Sequence, residues 1–384
     1  MAEDAAFNFN GETQRQRSKG KMASDARLCS EPNAIARFDM NNSQAQYMAQ
    51  KRFKSLDGLR AISILAVIWH HTAPTWVGHT LSLIGAQGVS LFFSISGFLI
   101  TTLLLREQSR KGQIDFKAFY VRRALRIFPL YYGVLILYIA IVTLLEPNTA
   151  SGQAFFGNLI YFATYTSNMF VPLDGRVIFY FAWSLAVEEQ FYLLLPSTLL
   201  LAETVKRTSV VLFLAFLICV GGQLIGNKFL SAVPLPIVAG ALLAITLNNA
   251  RGYEMLRPVL GQTWSAPVVG AALAIALLLP DVPGFVAALL FAAWVGACVT
   301  QTHHPLAKLF ALKPVAYIGS ISYGMYMLHM LCKNAVVKVL GAVGLSNGGL
   351  EVFGLTFVVT VAVASLSFRY FERWFLGLKA GFER

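Results

Sequence analysis

Apolar stretches approaching the ~20 residues needed to cross a hydrocarbon core recur along the chain from Leu59 onward, separated by short polar connections. Such a chain must satisfy its backbone polar groups within each segment, which selects helices. Composition agrees: of 384 residues, 56% are hydrophobic and 13% charged, against about 25% charged in an ordinary soluble domain. A soluble globular protein is excluded, and the glycine spacing, heptads and cysteine number exclude collagen, coiled coil and disulfide scaffold. The net charge of +12 has a simple origin in basic residues that hold cytoplasmic loops inside, so no nucleic-acid partner is expected. An all-α polytopic membrane protein remains, with the lipid bilayer as its surroundings.

Ten spans are expected, near 59–76, 82–104, 128–146, 187–203, 208–226, 232–248, 265–280, 285–301, 314–332 and 350–368. The segment 154–170 is apolar but broken by Asn158, Thr164, Thr166, Ser167 and Asn168. Charge decides whether to count it, because one more span reverses everything after it. Without it, 27 basic residues lie inside and four outside; with it the split becomes 21 against ten. The reading is ten spans with both termini cytoplasmic and 154–170 as a re-entrant or interfacial element, covered by protein where its backbone is irregular. Residues 1–54 read as a disordered basic cytoplasmic tail with no signal peptide, 55–376 as the membrane domain and 377–384 as a short cytoplasmic tail. Cys29, Cys219, Cys298 and Cys332 have no disulfide or metal-ligand spacing, and the six histidines offer no paired ligands, so no metal is expected.

Several residues call for a chemical explanation. In "SLDGLRAISILAVIWHHT" Arg60 sits at the cytoplasmic edge and His70 and His71 deep in an apolar helix. Arg60 and His71 share one helical face about 16 Å apart, and His70 points about 100° away. Ionisable groups at this depth usually face a bundle interior or a cavity. His71 is either a hydrogen-bonded core imidazole or a general base. The glycines and serines of "GAQGVSLFFSISGFLI" read as helix-packing positions. In "FYVRRALRIFPLYY", Arg122, Arg123 and Arg126 suit phosphate, with positive-inside anchoring as the plain alternative. In "FAWSLAVEEQFY", assigned to the outer side, Trp183, Ser184, Glu188, Glu189 and Gln190 lead into a span; two adjacent carboxylates there are costly unless one faces a polar site, which marks Glu188 and Gln190 as candidates and leaves Glu189 to the interface, although a helix N-terminus tolerates acid. Ser322, Tyr326 and His329 form one helical stripe, and Arg369 and Glu372, three apart, read as a pair.

Together, "LDGLR…WHH", "GVSLFFSISGFLI", "RRALRIFPLYY", "WSLAVEEQFY" and "SYGMYMLHM" resemble, in order, the blocks of the acyltransferase-3 family, multi-pass O-acyltransferases that modify bacterial surface sugars and some small molecules. The resemblance runs from about Phe53 to Phe375, and Arg60 and His71 supply the family's Arg and His separated by ten residues. One departure is that Glu372 is followed by Arg373 and Trp374 where the family often has Glu, any residue, Pro. The chain also reads as the form without an appended esterase-like domain. What the resemblance implies is transfer of an acyl group, usually acetyl from acetyl-CoA, to a hydroxyl of a glycan or lipid-linked sugar at the bacterial cytoplasmic (inner) membrane. Arg60, Arg122, Arg123 and Arg126 would then take the CoA phosphates. His71 would deprotonate the acceptor or carry the acyl group, Glu188 would orient it, and Trp183, Ser184, Gln190, Tyr326 and His329 would line the acceptor site. A small-molecule hydroxyl is the alternative acceptor. A transporter or flippase built on Arg60, His71 and Glu188 is the alternative of another class, and it lacks the expected repeats.

Overall fold

The structure, a computed structural model, describes residues 44–74, 79–172, 177–227, 233–345 and 349–382. Most of the expected tail, with Cys29, Arg176 and Lys228, lies outside the described residues. Met1–Arg52 and Phe53–Arg384 are separate compact units. In the first, residues 44–49 form a short helix; everything below concerns the second.

The described residues contain helices and no strand. They are α1 (Lys54–Thr72), α2 (His79–Lys111), α3 (Phe116–Leu145), α4 (Ala150–Gly157), α5 (Leu159–Ala163), α6 (Ser167–Phe170), a 3₁₀ turn (Tyr180–Ala182), α7 (Trp183–Ala202), α8 (Val205–Leu224), α9 (Leu235–Asn248), α10 (Ala250–Leu260), α11 (Ser265–Leu278), α12 (Gly284–Thr300), α13 (Pro305–Phe310), α14 (Lys313–Ala342), α15 (Leu350–Ser367), a π-helical turn (Phe368–Glu372) and α16 (Arg373–Leu378). Several starts are written in the sequence. The side chains of Asp115, Thr204 and Asn249 each accept a backbone N–H of the first turn of the following helix, satisfying a donor that the helix cannot.

Each of the ten expected spans overlaps one of these helices. Five helical stretches among the described residues are long and apolar enough to cross a membrane: Ile84–Lys111, Phe116–Leu145, Tyr180–Ala202, Val205–Leu224 and Leu350–Leu378. A sixth would be α10 with α11, which bend by 74°. Helices α9 and α12 are apolar but shorter. Several apolar helices thus make this a multi-pass membrane protein. Among the described residues, five or six spans are shown by length and composition.

The core is α1 wedged between α2 and α14, with α9 packed along α2. At the α2–α9 crossing, a Cβ at Gly97 would collide with the Ile237 carbonyl and one at Gly240 with the Ser94 carbonyl. Absent side chains let the two backbones touch, as small residues do in membrane bundles.

The broken segment resolves into α4, α5 and α6. Its irregular backbone is covered by protein: the Tyr131 and Tyr132 hydroxyls donate to the carbonyls of Phe162 and Ala163 at 2.7 and 2.9 Å. The Arg369–Glu372 pair is not formed. The π turn changes the three-residue register there, so Glu372 accepts from Ser367 Oγ at 3.1 Å while Arg369 lies 5.5 Å over the Tyr370 ring.

Candidate active site

A cavity of about 200 Å³ lies between α1, α2, α3, α7 and α14. Its wall on α2 runs from Val89 to Leu103, about 21 Å of helix. Most of the lining is apolar, and polar groups converge on it from Ser96 of α2 and from the four other helices.

Arg60 from α1 and Arg123 and Arg126 from α3 form its basic part. Arg60 donates to Asp57 Oδ1 at 3.0 Å, one turn earlier, which fixes the guanidinium while leaving donors over. Arg123 lies 5.6 Å over the Tyr192 ring, a cation–π contact that holds its planar head. Arg122, also expected at the mouth, is absent from the wall; it bonds Glu107 Oε2 at 3.2 Å and the Phe382 carbonyl at 2.8 Å. Being adjacent to Arg123 on a helix, it points about 100° away.

Glu188 shares this cavity with the arginines, although the sequence reading set it apart on the outer side. Helix α7 brings it there by running from Ser184, beside Tyr326, to Tyr192, beside Arg123. Ser96 Oγ donates to Glu188 Oε1 at 2.7 Å and accepts from the Tyr192 hydroxyl at 3.2 Å. This chain keeps a polar group inside the membrane domain hydrogen-bonded, as burial requires.

His71 does not line the cavity. Its Nδ1 lies 3.2 Å from the Tyr180 hydroxyl, and its ring stacks on His329 with centroids 5.1 Å apart and 30° between planes. His70 points elsewhere, donating from Nδ1 to the Ser82 carbonyl at 2.8 Å. The buried His329 donates from Nδ1 to the Tyr326 carbonyl at 2.6 Å. A carbonyl can only accept, so Nδ1 carries the proton and Nε2 is left as the acceptor in the neutral ring. That Nε2 has no hydrogen-bond partner among the described residues.

Between the cavity and the histidines stand Tyr326 and Ser184, which line the cavity. The Tyr326 hydroxyl is 2.7 Å from Ser184 Oγ and donates to the Phe181 carbonyl at 3.0 Å. The stripe on α14 therefore spans both compartments, with Ser322 and Tyr326 in the cavity and His329 against His71. Trp183 packs edge-on against Phe93 at 5.8 Å, outside the wall. Gln190 is also outside it: its amide donates to the Tyr165 carbonyl at 2.8 Å and exchanges hydrogen bonds with Asn168 at 2.9 and 3.2 Å, tying the broken segment to α7.

Residues 53–369 match the acyltransferase-3 family, described as an acyltransferase domain. The chain belongs to that family. Peptidoglycan O-acetyltransferase OatA of Listeria monocytogenes is 28% identical over 84% of this chain and 56% of its own length. A Staphylococcus aureus protein, provisionally named an O-acetyltransferase, is 26% identical over 87% of this chain and 59% of its own. A third relative, YrhL of Bacillus subtilis, provisionally named a peptidoglycan O-acetyltransferase, is 26% identical over 83% and 54%. The chain spans a little over half the length of these curated relatives. No solved structure matches it.

The site of this acyltransferase-3 chain includes residues that sequence reasoning passed over. Ser96 stands in a glycine-serine run that reads as packing, and packing does account for Gly85, Gly88 and Gly97, which meet α1 and α9. The buried Ser94 stands two residues earlier on the same helix, so no local signal set Ser96 apart. Tyr180 and Tyr192 carried no signal, since aromatic residues abound in membrane helices.

Proposed function

We propose that the protein is a membrane O-acetyltransferase that takes an acyl group from acetyl-CoA and places it on a hydroxyl of a cell-surface or lipid-linked glycan. The observation that carries this reading is a cavity in which three arginines, Arg60, Arg123 and Arg126, lead toward the stacked rings of His71 and the buried His329, within a chain of acyltransferase family. Guanidinium groups are suited to the phosphates of CoA by bidentate bonding. The elongated, mostly apolar wall suits a long narrow pantetheine arm, and the ~16 Å between Arg60 and His71 along α1 matches an arm that holds its thioester far from its phosphates. His71, whose Nδ1 lies 3.2 Å from the Tyr180 hydroxyl, would present Nε2 as base to the acceptor hydroxyl in the tautomer that carries its proton on Nδ1. Glu188 acts on the donor side rather than on His71, holding the Ser96 hydroxyl in the cavity wall.

The acceptor reading is supported by relatives named as peptidoglycan O-acetyltransferases. The basic-residue pattern supports ten spans with both termini in the cytoplasm of a bacterial inner membrane, which sets the arginines on the CoA side.

The test is mass spectrometry of surface glycans from cells with and without the gene, complemented by wild type, His71→Ala or Arg60→Ala. An acyl increment lost on deletion and restored by wild type alone is the expected result. Restoration by both variants at the wild-type level overturns the assignment of the site.

A further inference from the structure

We propose that Tyr326, held by Ser184, makes this site choose a hydroxyl acceptor over water, by closing the donor cavity beneath the histidine pair until the acceptor arrives. This rests on the acyl-CoA reading above. Both side chains line the cavity, and His71 and His329 do not. The Tyr326 ring centroid is 5.5 Å from that of His329, which stacks on His71. An acyl group moving from the arginines to His71 therefore meets the Tyr326–Ser184 hydroxyl pair.

Hydrogen bonds and burial hold the partition shut. Tyr326 is buried, and its hydroxyl has two partners, Ser184 Oγ at 2.7 Å and the Phe181 carbonyl at 3.0 Å. The Phe181 ring closes the remaining side, 6.1 Å from Tyr326 and 5.5 Å from His329. That carbonyl belongs to the 3₁₀ turn Tyr180–Ala182, which follows Phe179 at φ +67°. A left-handed conformation is strained for a bulky residue. It is held here by the buried ring, which packs edge-on to Tyr131, Tyr138 and Phe162 at 5.6, 5.1 and 5.4 Å.

The chemistry explains why a partition is needed. A thioester exposed to both a histidine base and water hydrolyses: the water oxygen bonds the acyl carbon, the carbon–sulfur bond breaks, and one water proton passes through His71 to the thiolate. The products are acetic acid and CoA thiol. Transfer is the same sequence with the acceptor hydroxyl in place of water. Excluding water until the acceptor fills the site suppresses the first without slowing the second.

The experiment measures CoA thiol release from acetyl-CoA by the purified full-length protein in nanodiscs, without acceptor. Tyr326→Phe removes both hydrogen bonds of the hydroxyl, and release is expected to rise about tenfold over wild type, the population change that one to two buried hydrogen bonds supply. Ser184→Ala is expected to move in the same direction, and adding His71→Ala to Tyr326→Phe to remove the excess. The proposal is overturned if Tyr326→Phe and Ser184→Ala release no more thiol than wild type while acetyl-CoA still raises their melting temperatures. If acetyl-CoA shifts neither wild type nor any variant and no thiol is released, the acyl-CoA reading itself fails.

Discussion

His304 sits in the loop after α12, outside the spanning helices, yet it is 2% exposed. Its Nε2 is 3.2 Å from Ser55 Oγ in the first turn of α1, and its Nδ1 has no partner among the described residues. Phe310, edge-on to the imidazole at 6.0 Å, fills the space that a side chain at Gly58 would need. Burial pushes the imidazolium below its ordinary value of 6.5, so the folded protein holds this ring neutral. The unfolded chain binds the proton more readily. The contribution is therefore complete above 6.5 and is lost as pH falls through that value toward the lowered one. Between about pH 7.5 and about pH 5 the melting temperature should fall, with a slope of at most about 1.4 kcal/mol per pH unit from this group. His304→Gln, which keeps a partner for Ser55, should flatten that part of the profile. An unchanged profile would show that His304 does not titrate there. Nothing in the sequence distinguished this histidine, because a loop is where a titratable residue needs no explanation. His71 was legible for the opposite reason: an imidazole a full helix length into an apolar run must be satisfied by something.

At the scale of elements, the contact between α2 and α9 fixes where Ser96 stands. Gly97→Ala places a methyl against the Ile237 carbonyl, backbone that cannot rotate aside. Overpacking of this kind costs about 1–3 kcal/mol. We expect a lower melting temperature and reduced acetyl transfer, because the Ser96–Glu188 hydrogen bond must shift with α2; a variant that melts and turns over like wild type would show that the helices yield there freely. Helix positions were readable from the apolar runs and capping residues, since both act locally. Helices α1 and α14 were expected as spans but are not among the five long apolar stretches, and they carry Asp57, Arg60, His70, His71, Tyr326 and His329, the polar groups around which the site is built. The π turn at Phe368–Glu372 was not readable, and a pairing argument based on α-helical spacing failed there.

Across the whole molecule, the site joins groups far apart in sequence; spacing on single helices tied Arg60 to His71 and Ser322 to Tyr326 and His329, and packing brings the two sets together. Glu188 was legible as a costly carboxylate, but its depth was not, because that depends on how α7 packs beside α2 and α14. The 3₁₀ turn Tyr180–Ala182 adds a coupling that no local pattern contains. Tyr180 touches His71, and the next residue's carbonyl holds Tyr326. Two neighbouring residues of one turn cannot move independently. An acceptor that binds at Nε2 and turns the His71 ring moves the Tyr180 hydroxyl bonded at Nδ1, and so loosens the Tyr326 hydroxyl in the same movement. On the proposed function, this coupling predicts that donor and acceptor are bound together before either reacts. Initial-velocity lines at varied acetyl-CoA and acceptor should intersect, as for a ternary complex; parallel lines would mean that the acyl group leaves CoA before the acceptor binds.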